Sequence, residues 1–355
     1  MSQSKTLKKE KLTFNTIWQR YGTFGILIIF FAILFILKFT YFFSSSTAPQ
    51  ILAQSSVNIL IAMGEFFAIL IAGIDLTVGS VVDLTGMCMA KLMVAGVNPI
   101  VAVLLGILLG AFLGFLNGLL VNVTGLHPFI ITLGTQAIYR GVTLIISNSS
   151  AVYGFPASFT RVISKSVIGI PLVAIIAVIV ALILAFLTKK TKLGRNIYAL
   201  GGNKESAWYS GINVNLHTLI VFIISGICAG IAGVVLLGRV GSAEPAAATG
   251  FETYAIAASI IGGTSFFGGK GKIFGVVMGG LIIGVINFGM NILLLSSTLQ
   301  QVVLGALIIG SLALDRFVAN KKYPCSLKEV FLWNLCVTRR SCVWIFLILK
   351  IRRKY

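Results

Sequence analysis

Long apolar runs recur from residue 24 to residue 316, separated by short polar or glycine-bearing breaks. They are continuous, without the strict alternation of a half-wet strand, and so they predict helices. Ten can be drawn, at roughly 24–43, 53–72, 77–96, 100–121, 127–146, 168–187, 215–238, 251–267, 273–295 and 299–316. In lipid each spanning piece must satisfy its own backbone hydrogen bonds, which leaves helices or a closed barrel; long unbroken runs decide for helices. Several fall short of the ~20 residues a straight span needs. The pieces around "GIDLTVGS" (73–80) and "GGTSFFGGKGKIFG" (262–275) are therefore candidates for broken or re-entrant segments. The expected fold is an all-α polytopic membrane protein of about 10 transmembrane segments.

Composition agrees. Of 355 residues, 57% are hydrophobic and 10% charged, where a soluble domain carries about a quarter charged. The net charge of +19 would suggest nucleic acid in a soluble protein. Here it reads as basic loops facing the cytoplasm and anionic lipid, with no nucleic-acid partner. With the N-terminus inside, the cytoplasmic segments are 1–20, 188–213, 268–272 and 315–355, plus two very short turns. They hold 22 of the 28 Lys and Arg. The others are Lys38, Lys91, Arg140, Arg161, Lys165 and Arg239. Both termini are thus expected in the cytoplasm. The chain divides into an N-terminal segment (1–20), a transmembrane domain (21–318) that includes the cytoplasmic loop 188–213, and a basic tail (319–355). No small-residue cleavage site follows the first apolar run, so it reads as a retained anchor. Cys88, Cys228, Cys325, Cys336 and Cys342, with His127 and His217, lack zinc-site spacing; free thiols and no metal are expected.

Gly106, Gly110, Gly114 and Gly118 recur every four residues and form one smooth helix ridge. In lipid, helices associate through such close backbone approach. Gly226/Gly230 and Gly275/Gly279 repeat the spacing. The two glycine-rich breaks hint at a duplication, segments two to five against seven to ten, as transporters often show. "GGTSFFGGKGK" resists a phosphate-loop reading: Gly269 displaces the lysine, and Gly271 stands after Lys270 where Ser or Thr is required. A cytoplasmic turn is preferred.

Charge inside a bilayer is costly and usually purposeful. Asp75 can cap the helix that follows it, or touch cargo. Glu65 and Asp83 can face a hydrated pore, pair with a base or lie near the surface. Arg140, near the end of its segment, can snorkel to headgroups. Asn58, Asp75, Asn117, Gln136 and Asn287 are the candidate translocation path for a hydroxyl-rich solute; interhelical hydrogen bonding explains them equally well, as it does Asn291. No catalytic constellation appears, which argues against an enzyme.

The stretch "YALGGNKESAWYSGINV" (198–214) is polar amid apolar runs. Gly201 and Gly202 offer a flexible entry, and Asn203 can serve as N-cap of a short helix. Glu205 then sits in the first turn, where negative charge suits the helix dipole. Gly211 can end the helix in a left-handed conformation. Trp208 and Tyr209 suit either a protein interface or a lipid surface.

Several pieces together resemble the permease subunits of bacterial ATP-binding-cassette importers of the ribose and allose class. They are "GIDLTVGS" (73–80), "PFIITLGTQAIYRG" (128–141), "GRNIYALGGNKESAWYSGINV" (194–214), "GFETYAIAASIIGGTSFFGGKG" (250–271) and "QQVVLGALIIG" (300–310). The resemblance implies a permease that forms the membrane path in the bacterial inner membrane, usually as two copies. A separate ATPase subunit holds the ATP, this chain binds no cofactor, and an extracytoplasmic sugar-binding protein delivers the cargo. It also implies that Gly201, Gly202, Asn203, Glu205, Ala207, Trp208 and Gly211 belong to the ATPase-coupling loop. Ser206 stands where the family often has alanine, and Trp208-Tyr209 is bulkier than expected. A permease for another solute of the broad family, such as a nucleoside, another sugar or a branched-chain amino acid, is the first rival. An ion-coupled carrier built on Glu65 and Asp83 is the second. After "LALDRFVANKK" the family would normally stop; the remaining tail fits a shifted reading frame, with a membrane-surface extension as the rival.

Overall fold

The computed structural model describes residues 47–296, 299–303, 305–306 and 309–310. The expected first span at 24–43, the segment 1–20 and the tail 319–355 lie outside the described residues, as does part of the run 299–316. The helices are α1 (Thr47–Leu70), α2 (Val78–Val94), α3 (Pro99–Thr124), α4 (Pro128–Ser147), α5 (Ala157–Ile163), α6 (Leu172–Lys190), α7 (Lys192–Gly202), α8 (Lys204–Tyr209), α9 (Val214–Val240), α10 (Phe251–Ile261) and α11 (Ile273–Ile292). Between α5 and α6, strands β1 (Ser166–Val167) and β2 (Ile170–Pro171) pair antiparallel.

Six of these helices, α1, α3, α4, α6, α9 and α11, are long and apolar enough to cross a membrane. The expected spans at 77–96 and 251–267 are the shorter α2, of 17 residues, and α10, of 11 residues. Local chemistry sets several ends. Asn98 and His127 accept the N–H of Ile100 and Phe129, and Pro99 and Pro128 follow at the first helical position, where a missing N–H costs nothing. Gly125 and Gly241 close α3 and α9 in the left-handed region.

Helix α1 is buried continuously from Ser55 to Leu70 and packs against α2, α9, α10 and α11. Helices α3, α4 and α6 keep exposed apolar rows that include Leu108, Ile138 and Leu182. Lipid tails are as apolar as leucine, so contact between such helices depends on shape. The α3 glycines supply it. A Cβ at Gly110 would overlap the carbonyl oxygen of Gly226, one at Gly114 that of Phe222, and one at Gly106 the Met89 side chain. At Gly118 it would meet the Leu219 Cα at 2.9 Å.

The connections sort to two ends of the bundle. At the α7 end, Gly269 N–H donates to the Leu70 carbonyl at 2.9 Å, and the Asn122 amide donates to the Asn215 carbonyl at 2.8 Å. At the α5 end, Val152 bridges Ala243, the Ser164 hydroxyl donates to the Gly238 carbonyl, and the Lys91 ammonium donates to the Ile146 carbonyl. The turns expected in the cytoplasm thus meet at one end, and most of the remaining basic residues at the other.

Candidate functional site

Two interruptions bring polar groups into the bundle. The first is the segment 71–77, which folds back along the end of α1. The Asp75 backbone N–H donates to the Glu65 carboxylate oxygens at 3.3 and 3.2 Å. Glu65 is fully buried, and among the described residues no basic group pairs with it. A buried backbone donor needs an acceptor where no ladder is near, and the carboxylate provides it.

Asp75 does not cap the first turn of α2. Its Oδ1 accepts the N–H of Thr77 at 3.0 Å, which is itself the N-cap residue. Its Oδ2 accepts the Ser225 hydroxyl of α9 at 2.6 Å. Asn117 of α3 donates to the Thr77 hydroxyl at 2.9 Å, and Tyr139 of α4 donates to Asn117 Oδ1 at 3.0 Å. Thr132, also on α4, donates to the Ile74 carbonyl at 3.0 Å. Asp75 and Asn117 therefore belong to one buried network that ties α1, α2, α3, α4 and α9 around the first break.

The second interruption is 241–250, between α9 and α10. The Ser259 hydroxyl of α10 bonds the Ala62 carbonyl at 3.0 Å. Glu252 stands in the first turn of α10, seven residues before Ser259. There Arg140 pairs with Glu252 at 3.2 Å and donates to the Thr249 hydroxyl at 2.9 Å. A carboxylate on α10 thus holds the Arg140 guanidinium. Gln136, one turn earlier on α4, donates to Glu252 at 2.9 Å. Asp83 of α2 accepts the Ala248 N–H at 2.8 Å. A Cβ at Gly79 would meet the Ala248 carbonyl oxygen at 2.6 Å and Glu252 Oε2 at 2.7 Å, so only glycine lets the start of α2 lie against the start of α10.

Of the five candidate path residues, Asp75 and Asn117 share the first network and Gln136 belongs to the second. Asn58 and Asn287 are buried on α1 and α11 and join neither. Glu252, Thr249, Thr77, Tyr139 and Ser225 escaped the sequence reading. Glu252 carried a usable signal, a carboxylate inside an apolar run, the same that singled out Asp83.

Helices α7 and α8 form the polar segment. Asn203 accepts the Ser206 N–H at 2.8 Å and caps α8; Glu205 is in its first turn, and Gly211 has φ +79°. Gly201 and Gly202, expected to be a flexible entry, are the last turn of α7. A Cβ at Gly201 would overlap the Leu70 carbonyl oxygen, and one at Gly269 would meet Gly202 at 2.9 Å. The Tyr198 hydroxyl adds a bond to the Gly271 carbonyl at 2.8 Å; burial pushes this phenol above its ordinary value, so it stays a donor. Ala207 packs with Leu200 and Val214. On the outer face Trp208 and Tyr209 meet edge to face and are 62% and 80% exposed. With Lys204, Glu205 and Asn215 they line a groove of about 360 Å³.

Interrupted helices that meet at buried polar groups inside a bundle of membrane-spanning length define a multi-pass transport component. The chain belongs to the family described as branched-chain amino acid transport system / permease component, which matches residues 47–312. It is 59% identical to the D-allose transport system permease protein of Escherichia coli (strain K12), over 90% of this chain and 98% of that protein. It is 38% identical to the ribose import permease protein of Bacillus subtilis (strain 168), over 87% and 96%. To the galactose/methyl galactoside import permease protein of Escherichia coli (strain K12) it is 34% identical, over 88% and 98%. No solved structure matches the chain.

Proposed function

We propose that this chain is the membrane-spanning permease subunit of an ATP-binding-cassette importer and moves a monosaccharide of the allose or ribose type. The observation that carries the reading is the 59% identity to the D-allose permease protein along nine-tenths of the chain; the ribose and galactose permease proteins support the wider sugar class. In this reading a separate ATPase subunit hydrolyses ATP and docks at 201–212, where an exposed aromatic pair and a capped helix face away from the bundle. A sugar-binding protein delivers cargo at the α5 end. The permease works as two copies in the bacterial inner membrane, with about ten spans and both termini in the cytoplasm. The positive-inside count supports that orientation, since the basic loop 188–213 lies at the α7 end.

The test is uptake of labelled D-allose, D-ribose and D-galactose into liposomes holding the permease and its ATPase, with the binding protein added. Uptake should require ATP and all three components. Uptake that persists without the ATPase and collapses with a proton gradient would refute the reading.

A further inference from the structure

Asp83 on α2 and Arg140 on α4 each keep one buried polar atom, Oδ2 and Nε, without a hydrogen-bond partner among the described residues. One atom is an acceptor and the other a donor. Leaving such atoms unpaired in a buried site is unfavourable, the more so for charged groups. Both residues bind the same short stretch: Asp83 takes the Ala248 N–H, and Arg140 holds Thr249 and Glu252. Asp83 is only 4% exposed, while the Arg140 and Glu252 side chains keep 26% and 15% exposure. The two unpaired atoms are themselves shielded, and the exposed part of the cluster is the remainder of the Arg140 and Glu252 side chains. The cluster lies where α2 and α10 both begin inside the bundle, the arrangement in which transporters built on discontinuous helices place solutes.

The geometry points to a contact site for a neutral, hydroxyl-rich solute in transit, in which Asp83 Oδ2 accepts from and Arg140 Nε donates to sugar hydroxyls. A hydroxyl is at once a donor and an acceptor, so a polyol answers both unpaired atoms. Asp83 and Glu252 disfavour an anion, and Arg140 disfavours a cation. Gln136 and Thr249 hold Glu252 and Arg140 in place. The inference rests on the monosaccharide reading above.

The test uses the complete transporter with its binding protein unchanged. The substrate is whichever of D-allose, D-ribose and D-galactose the wild type takes up fastest, alongside the set of analogues lacking one hydroxyl each. In Asp83→Asn, uptake of the parent sugar should fall roughly tenfold or more, as expected for losing a hydrogen bond to a charged group. Uptake of one deoxy analogue should fall far less, so discrimination between the two shrinks. Arg140→Lys should narrow discrimination at a hydroxyl too, and it carries the test if Asp83→Asn does not assemble. Because the binding protein is common to all measurements, a change in this ratio arises in the permease. If both variants slow every sugar by one common factor, the groups are structural and the proposal is overturned. If the wild type takes up none of the three sugars, the monosaccharide reading fails first and takes the proposal with it.

Discussion

The backbone amide of Asp75 donates to the carboxylate of Glu65, ten residues earlier in the chain, at 3.2 and 3.3 Å. This bond folds the break after α1 back onto the helix it has just left. It lets the Asp75 carboxylate reach Ser225 on α9 at 2.6 Å. Removing the acceptor would leave a buried N–H unpaired, which costs about 1–3 kcal/mol. Glu65→Ala should accordingly lower the melting temperature of the detergent-purified permease. Glu65→Gln keeps a side-chain oxygen and should cost less. If Glu65 is structural, Glu65→Gln should also retain ATP-driven uptake when a proton carrier collapses the gradient, which separates this protein from an ion-coupled carrier.

Neighbouring glycines in α7 make a paired experiment. A Cβ at Gly201 would overlap the Leu70 carbonyl, whereas one at Gly202 meets nothing within 4 Å. Gly201→Ala should force α7 away from α1 and the 262–272 turn, with an overpacking cost of about 1–3 kcal/mol. We expect it to lower the melting temperature and the sugar taken up per ATP hydrolysed, with Gly202→Ala close to wild type. Equal behaviour of the two variants would show that this junction does not matter.

The ridge of α3 offers a cleaner packing test. Gly114 faces the Phe222 carbonyl so closely that a side chain cannot fit, while Gly134 on α4 has open space. Gly114→Val should destabilise the α3–α9 pair by about 1–3 kcal/mol, visible as reduced membrane yield and earlier thermal aggregation. Gly134→Ala should leave both unchanged.

Helix α8 is short and depends on its ends. Asn203→Ala removes a cap worth ~1 kcal/mol, and Gly211→Val places a branched side chain at φ +79°, at a cost of about 1–2 kcal/mol. Both, and Glu205→Ala, should reduce ATP-dependent uptake while normal amounts of permease remain in the membrane. Crosslinkers placed across 201–212 should capture the ATPase subunit; their failure to do so in an assembled transporter would move the docking site elsewhere.

Much of the architecture was legible along the chain because bilayer thickness imposes a length and apolar character on every span. The expected run 100–121 is the helix Pro99–Thr124, and 215–238 is Val214–Val240. Capping chemistry is equally local, so Asn203 and Gly211 could be read from their neighbours alone. The break at 73–80 was visible in its glycine and aspartate. The break at 241–250 was not, because its Gly, Ala and Pro read as an ordinary loop between two spans.

What the sequence determined by itself was the material: apolar spans, glycine ridges, basic loops, and the few carboxylates that lipid tolerates only with partners. The tertiary structure alone decided who those partners are. Arg140 finds Glu252 across 112 residues and Asp75 finds Ser225 across 150, separations over which no periodicity reports. Gly201 read as a flexible entry for the same reason: flexibility is a property of the local chain, while close approach belongs to the neighbour. In this protein the neighbour is the Leu70 carbonyl, and it turns a flexible pair of glycines into a packed joint.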